Sequence, residues 1–248
     1  MLASRRMDPI TAIAASGLRS RMESLDLLAN NMANASTGGY KADREFHSLY
    51  VAPEAADNDP VSSMPVIEQG WTDWSQGLLR PTGNQLDLAI SGKGFFSVDG
   101  PSGQIYTRNG NFRLGKGGKI VTSDGYAVRG ASGAGLTVEP SRAIQISSDG
   151  TVQQDGNVIG QLEIVDFSST AGLAKQGNNY FRVSDPAMRP TASSGASVEQ
   201  GKLEDSNTGT AEGAVSVIKV MRQFEMMQKA ISLANDMNKQ AIEEVAKV

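Results

Sequence analysis

The sequence predicts an α+β protein, with N- and C-terminal heptad helices forming a coiled-coil-like domain and a Gly-rich antiparallel β-domain between them. Two observations carry this expectation. Apolar residues recur every seven positions near both chain ends, and 16 of the 27 glycines fall between positions 83 and 160, among short β-rich runs. A third sets the scale: 248 residues, 39% hydrophobic and 6% aromatic, suffice for one good-sized core or two small ones.

The N-terminal helix is expected over residues 8–34. Asp8 suits an N-cap and Pro9 the first helical position, where a missing N–H costs nothing. Thr11, Leu18, Leu25 and Met32 recur at seven, and Leu28 follows Leu25 by three; Arg21 interrupts the seam. Ser36-Thr37-Gly38-Gly39 ends the helix. Arg5-Arg6 before residues 10–18 imitates a signal peptide, but the amphipathic pattern continues to Met32, which a cleaved apolar core would not do. The helical signals begin at Asp8, so Met7 is as good a start as Met1. The C-terminal helix is expected from about residue 211. Val217, Phe224, Ile231 and Asn238 are spaced by seven, with Val220, Met227 and Ala234 each three later. A lone Asn in such a stripe sets register in coiled coils. The expected assembly interface is therefore Leu18, Leu25, Leu28 and Met32 with Val217, Val220, Phe224, Met227, Ile231, Ala234 and Asn238.

In the middle, Asp-Gly pairs at 99–100, 124–125, 149–150 and 155–156 are hairpin signals. The runs around them, 95–98, 105–107, 120–122, 144–147 and 160–167, read as short antiparallel strands. The expected organisation is residues 1–45 as helix and turn, 46–80 as extended linker, 81–200 as β-domain, and 201–248 as a helix packing on the first.

Catalytic chemistry finds few carriers. His47 is the only histidine and cysteine is absent, which excludes thiolate metal cages, disulfides and cysteine nucleophiles. Residues 110–117 imitate a phosphate loop as far as Lys116, but Gly117 replaces the required Ser or Thr. No catalytic, cofactor or metal residue is assigned. Lys and Arg are scattered and the net charge is −4, so the footprint for nucleic acid is missing. No apolar run reaches the ~20 residues of a membrane span, so no direct membrane insertion is expected. A competing reading makes the β-domain a secreted binding module, with Trp71, Trp74, Tyr106 and Tyr126 lining a groove.

The stretch Leu28-Ala29-Asn30-Asn31-Met32-Ala33-Asn34-Ala35-Ser36-Thr37-Gly38-Gly39-Tyr40-Lys41 resembles the signature of flagellar rod and hook proteins, with Met32 and Ser36 as mild departures. Its signature residues here are Asn30, Asn31, Asn34, Gly39, Tyr40 and Lys41. Residues 82–90, 106–112, 124–126, 148–152 and 200–207 are similar to further family segments, in the same order. Thr72-Asp73-Trp74-Ser75-Gln76-Gly77 and Arg222-Gln223-Phe224-Glu225-Met226 resemble the proximal-rod type more than the distal-rod type; a distal-rod or hook-type subunit is the alternative. The resemblance implies a structural subunit of the flagellar basal body, assembling helically with itself and other rod proteins to transmit torque. It further implies export through the flagellar type III apparatus without a cleaved signal. Phe46 and Tyr50 resemble the export-gate motif; a simple packing aromatic is the other reading of Phe46.

Overall fold

The computed structural model describes residues 9–51, 63–177 and 179–245. Among the described residues there are two α-helices, α1 (Pro9–Ala33) and α2 (Thr210–Val245). Between them run the strands β1 (Asp43–Val51), β2 (Ser63–Thr72), β3 (Leu79–Pro81), β4 (Leu88–Ser91), β5 (Phe95–Gly100), β6 (Gly103–Thr107), β7 (Phe112–Leu114), β8 (Ile120–Thr122) and β9 (Ala127–Val128). They continue with β10 (Gln145–Ile146), β11 (Thr151–Gln154), β12 (Asn157–Gln161), β13 (Ile164–Asp166), β14 (Leu173–Gln176), β15 (Tyr180–Val183), β16 (Thr191–Ala192), β17 (Ser197–Gln200) and β18 (Lys202–Glu204). The described residues form two compact units: those of 9–33, 43–72 and 209–245 in one, those of 34–42 and 73–208 in the other.

The β unit is built on a nine-stranded antiparallel sheet. Its main path is β14-β15-β6-β5-β9-β8-β7, and β13 joins β5 and β16. The core is a cluster around Leu88, Ile90, Phe96, Val98, Ile120 and Val152, all fully buried. An aromatic cluster of Phe95, Tyr106, Phe167 and Phe181 forms a second core. Turn chemistry explains the hairpins. Asp155 (φ 49°) and Gly156 (φ 79°) both adopt the left-handed conformation of a tight two-residue turn between β11 and β12. Asp124-Gly125 and Asp149-Gly150 turn between β8 and β9 and between β10 and β11. Asp99-Gly100 does not: it lies inside β5, and the reversal falls at Pro101-Ser102, since Gly100 pairs with Gly103. Pro101 fixes its own φ near −65° and so suits the first central position of a turn.

In the helical unit, β1 and β2 form an antiparallel hairpin in register from Asp43↔Thr72 to Val51↔Ser63, with an irregularity at Phe46/His47. The helices run antiparallel: a Cβ at Gly17 would lie 2.9 Å from Met227 Sδ, and one at Gly213 3.8 Å from Met32 Cβ. The α+β expectation with a coiled-coil-like domain is corrected here. The protein is mostly β, and the described residues do not build the expected seam. The reason lies on α1. Its buried line is Gly17, Ser20, Ser24 and Asn31, small and polar, not the apolar stripe. Ser24 Oγ donates to Ser20 O (3.0 Å) and Glu45 Oε1 (2.7 Å), turning that line into a polar contact with β1. Leu18, Leu25 and Leu28 are half-buried and Met32 is exposed. A heptad count measures apolar spacing, but a glycine allows closer backbone approach than leucine does.

Candidate functional site

Family-like segments far apart in sequence, the end of 28–41 with 82–90, 106–112 and 200–207, meet at one buried ionic junction in the β unit. After α1 the chain turns at Asn34, whose carbonyl accepts from Thr37 N (3.0 Å) and whose Oδ1 accepts from Thr37 Oγ1 (3.3 Å). Gly39 (φ 67°) follows, and a Cβ there would lie 2.4 Å from the Arg108 backbone. Only glycine fits this backbone-on-backbone crossing without strain. Gly39 N donates to Glu204 O at 2.7 Å. Tyr40 and Lys41 are then fully buried. The Lys175 ammonium sits 4.4 Å over the Tyr40 ring and donates to Lys41 O (2.6 Å).

Glu204 is the centre. Pairing of β18 with β3 places it opposite Leu79. Its Oε1 accepts from Lys41 Nζ and from Gly77 N (3.0 Å), and its Oε2 accepts from Arg108 Nη1 (3.1 Å). Lys41 also donates to Ser75 O (2.7 Å). Arg108, just past β6, donates to Ile90 O (3.2 Å) and Gly92 O (2.6 Å). All three charged side chains are almost wholly buried, so two cations share one carboxylate in a dry site. Burial therefore pushes the Lys41 ammonium below its usual range; Glu204 opposes this and Arg108 adds to it.

Asn207 completes the junction. Its Oδ1 accepts from Ala42 N (2.7 Å), and its Nδ2 donates to Asp73 O (2.7 Å) and Ser75 O (3.2 Å). One amide thus holds residues 42, 73 and 75 together. A neighbouring network, Asn84 and Asn111 donating to the buried Asp87 carboxylate, fixes residues 84–87 in the same way.

Of the expected signature residues, Gly39, Tyr40 and Lys41 enter the junction. Asn34 shapes the turn. Asn31, in the helical unit, exchanges hydrogen bonds with the Asp43 backbone (2.7 and 2.9 Å), and Asn30 is exposed. On α2, Val220 is buried and Val217, Phe224, Met227 and Ile231 are half-buried. The side chains of Ala234, Asn238, Phe46, His47 and Tyr50 lie outside the described residues. Sequence reasoning missed Glu204, Arg108 and Asn207 as partners of Lys41. Their only signal was that all three fall within family-like segments, Arg108 in 106–112 and Glu204 and Asn207 in 200–207.

Trp74 packs on Phe95 and Phe181 (centroids 5.6 and 4.7 Å), and Tyr106 packs on Phe167 (5.0 Å) in the same buried cluster. Tyr126 packs on Tyr180, against the other core. These three aromatics are therefore packing anchors rather than one groove. Among the described residues no cluster of three or more acidic or imidazole side chains could hold a metal ion.

Residues 89–158 match the family model described as the flagellar hook protein FlgE/F/G D1 domain, and residues 199–244 match that of the flagellar basal body rod FlgEFG protein C-terminal. The chain is 31% identical over 228 residues to flagellar basal-body rod protein FlgF of Caulobacter vibrioides, covering 90% of this chain and 92% of that one. It is 31% identical over 248 residues to FlgG of Bacillus subtilis, covering 89% and 93%. To FlgF of Mesorhizobium japonicum it is 29% identical over 206 residues, covering 81% and 83%. The junction is thus built from the segments by which the sequence resembles that family, and the chain belongs to the family of flagellar hook and basal-body rod proteins, as a structural subunit of the rod.

Proposed function

We propose that the subunit polymerises helically, with copies of itself and other rod proteins, through the solvent-facing sides of its terminal helices, and so transmits torque. The observation that carries this reading is a second apolar stripe on α2. Val215, Ile218, Met226, Leu233 and Met237 are each more than half exposed. At about 100° per residue they share one face, opposite the face that holds Val220, Phe224 and Ile231. On α1, Met22 is exposed and Leu18 half-buried on the side away from its polar line, with half-buried Leu25 and exposed Met32 on the flank. A helix apolar on both faces is one that is covered on both. Fully burying each such side chain contributes ~1.5–3 kcal/mol, against an association cost of ~4–15 kcal/mol. One stripe makes a weak dimer; several contacts per subunit make a stable, open-ended lattice.

The proximal-rod subtype is supported by residues 72–77 and 222–226. Export through the flagellar type III apparatus without a cleaved signal is supported by the helix running on to Ala33, with Phe46 and Tyr50 as the gate-like motif. The role asks for no catalysis, since complementary surfaces alone build a rod.

The test is Ile218→Asp with Leu233→Asp. Both positions are exposed, so the monomer should keep its fold, with its thermal midpoint moved by less than about 2 °C. Sedimentation should show no polymer and cells should not swim. Wild-type polymerisation and motility in this variant would sink the proposal.

A further inference from the structure

Strand β7 is one edge of the nine-stranded sheet. Beside it lies a shallow cleft of about 660 Å³ lined by Arg113, Leu114, Lys116, Lys119, Val121 and Ala127. Val121 is buried and Leu114 and Ala127 half-buried, so the floor is apolar; Arg113, Lys116 and Lys119 stand exposed around it. None of the three forms an ion pair among the described residues, whereas Arg80, Arg129, Arg142 and Lys202 of the same unit do. A small-molecule site would be enclosed, with polar groups converging on it. An open apolar floor with a cationic rim instead suits an extended acidic polypeptide, whose carboxylates meet the rim while its aliphatic carbons cover the floor.

We infer that this cleft is a polar contact between subunits that takes the acidic segment of residues 54–59 from a neighbouring copy. That segment carries Glu54, Asp57 and Asp59 and no cation, three carboxylates for three cations, in a chain whose net charge is −4. It lies outside the described residues and is identified by its charge pattern. The inference rests on the polymerisation proposed above, and adds to the apolar helix faces a contact that salt weakens. A cation on an edge strand, here Arg113 on β7, also deters strand-to-strand aggregation, which is the rival account of the cationic rim.

A labelled peptide of residues 51–62 titrated onto the full-length chain, followed by fluorescence anisotropy at low ionic strength, separates them. Saturable binding that weakens with added salt is expected. The chain carrying Arg113→Glu, Lys116→Glu and Lys119→Glu should bind it about tenfold more weakly, the scale of three exposed ion pairs. A peptide with Lys at positions 54, 57 and 59 should prefer that variant. No saturable binding, or equal affinity for both chains, overturns the inference, as does a charge-reversed chain that aggregates while the wild type ignores the peptide. Sedimentation keeps the two readings apart. A wild-type chain that polymerises yet ignores the peptide refutes only this contact. A chain that binds the peptide and never polymerises refutes the polymerisation, and with it a contact between subunits.

Discussion

Glu204→Ala and Lys41→Met make a pair whose order is set by charge counting. Glu204 accepts from Lys41, Arg108 and Gly77 and is wholly buried. Its removal leaves two cations facing each other in a dry site with no carboxylate between them. Breaking a buried ion pair from one side costs ~3–5 kcal/mol. Lys41→Met instead removes one of two cations and leaves Arg108 and Glu204 as a balanced pair. The aliphatic replacement keeps most of the packed volume, and the losses are one bond to Glu204 and one to Ser75 O. That variant should cost ~1–2 kcal/mol. In a chain of this size each kcal/mol moves the melting midpoint by ~2–4 °C, so Glu204→Ala should melt about 6–20 °C lower and Lys41→Met at most about 8 °C lower. Trp74, packed on Phe95 and Phe181, reports on the β unit by fluorescence, with Trp71→Phe in the background because Trp71 is half exposed. If Lys41→Met is as damaging as Glu204→Ala, the junction is not governed by its excess positive charge and the reasoning fails.

Gly39→Ala should destabilise the β unit by at least ~2 kcal/mol in urea unfolding, since it combines left-handed strain with a 2.4 Å approach to the Arg108 backbone; a neutral effect would mean that the crossing is looser than the geometry says. Burial, then the hydrogen bond to Asp124, push the Tyr180 phenol well above its usual 10.0. The folded state therefore holds this proton more tightly than the unfolded chain. Stability from Tyr180 is complete below pH 10 and is lost as pH climbs above it, by up to ~1.4 kcal/mol per pH unit. Tyr180→Phe should flatten the alkaline limb of the stability curve, and an unchanged limb would exclude Tyr180 as its cause. His47→Ala should leave rod assembly and motility intact; a substrate turnover lost on this substitution would overturn the structural role.

Much of this was legible in the chain. Helices at both ends, β structure between them and the family likeness all rest on local signals: apolar recurrence at seven, β-rich runs between Asp-Gly turns, and short ordered motifs. Even so, Asp99-Gly100 turned nothing, because Pro101 two residues later offered a better reversal and β5 ran on to Gly100. The α1 stripe is real as a pattern, but the line that the fold buries is another one. Spacing alone does not say whether leucines or the small residues between them meet the neighbouring elements, and Gly17, Ser20 and Ser24 approach more closely.

The inventory is written in local pattern along the chain: which segments are helical, which are stranded, that cysteine is absent, and which kinship the chain has. The junction exists only once the chain has folded. Lys41, Arg108 and Glu204 are separated by 67 and 96 positions, and nothing local to any of them reveals that one carboxylate serves two cations. Their meeting depends on β18 returning to β3 and on Gly39 letting one backbone cross another. A buried charge is tolerated only where partners converge on it from elsewhere in the chain, so its role is a property of the fold and not of its own neighbourhood in sequence.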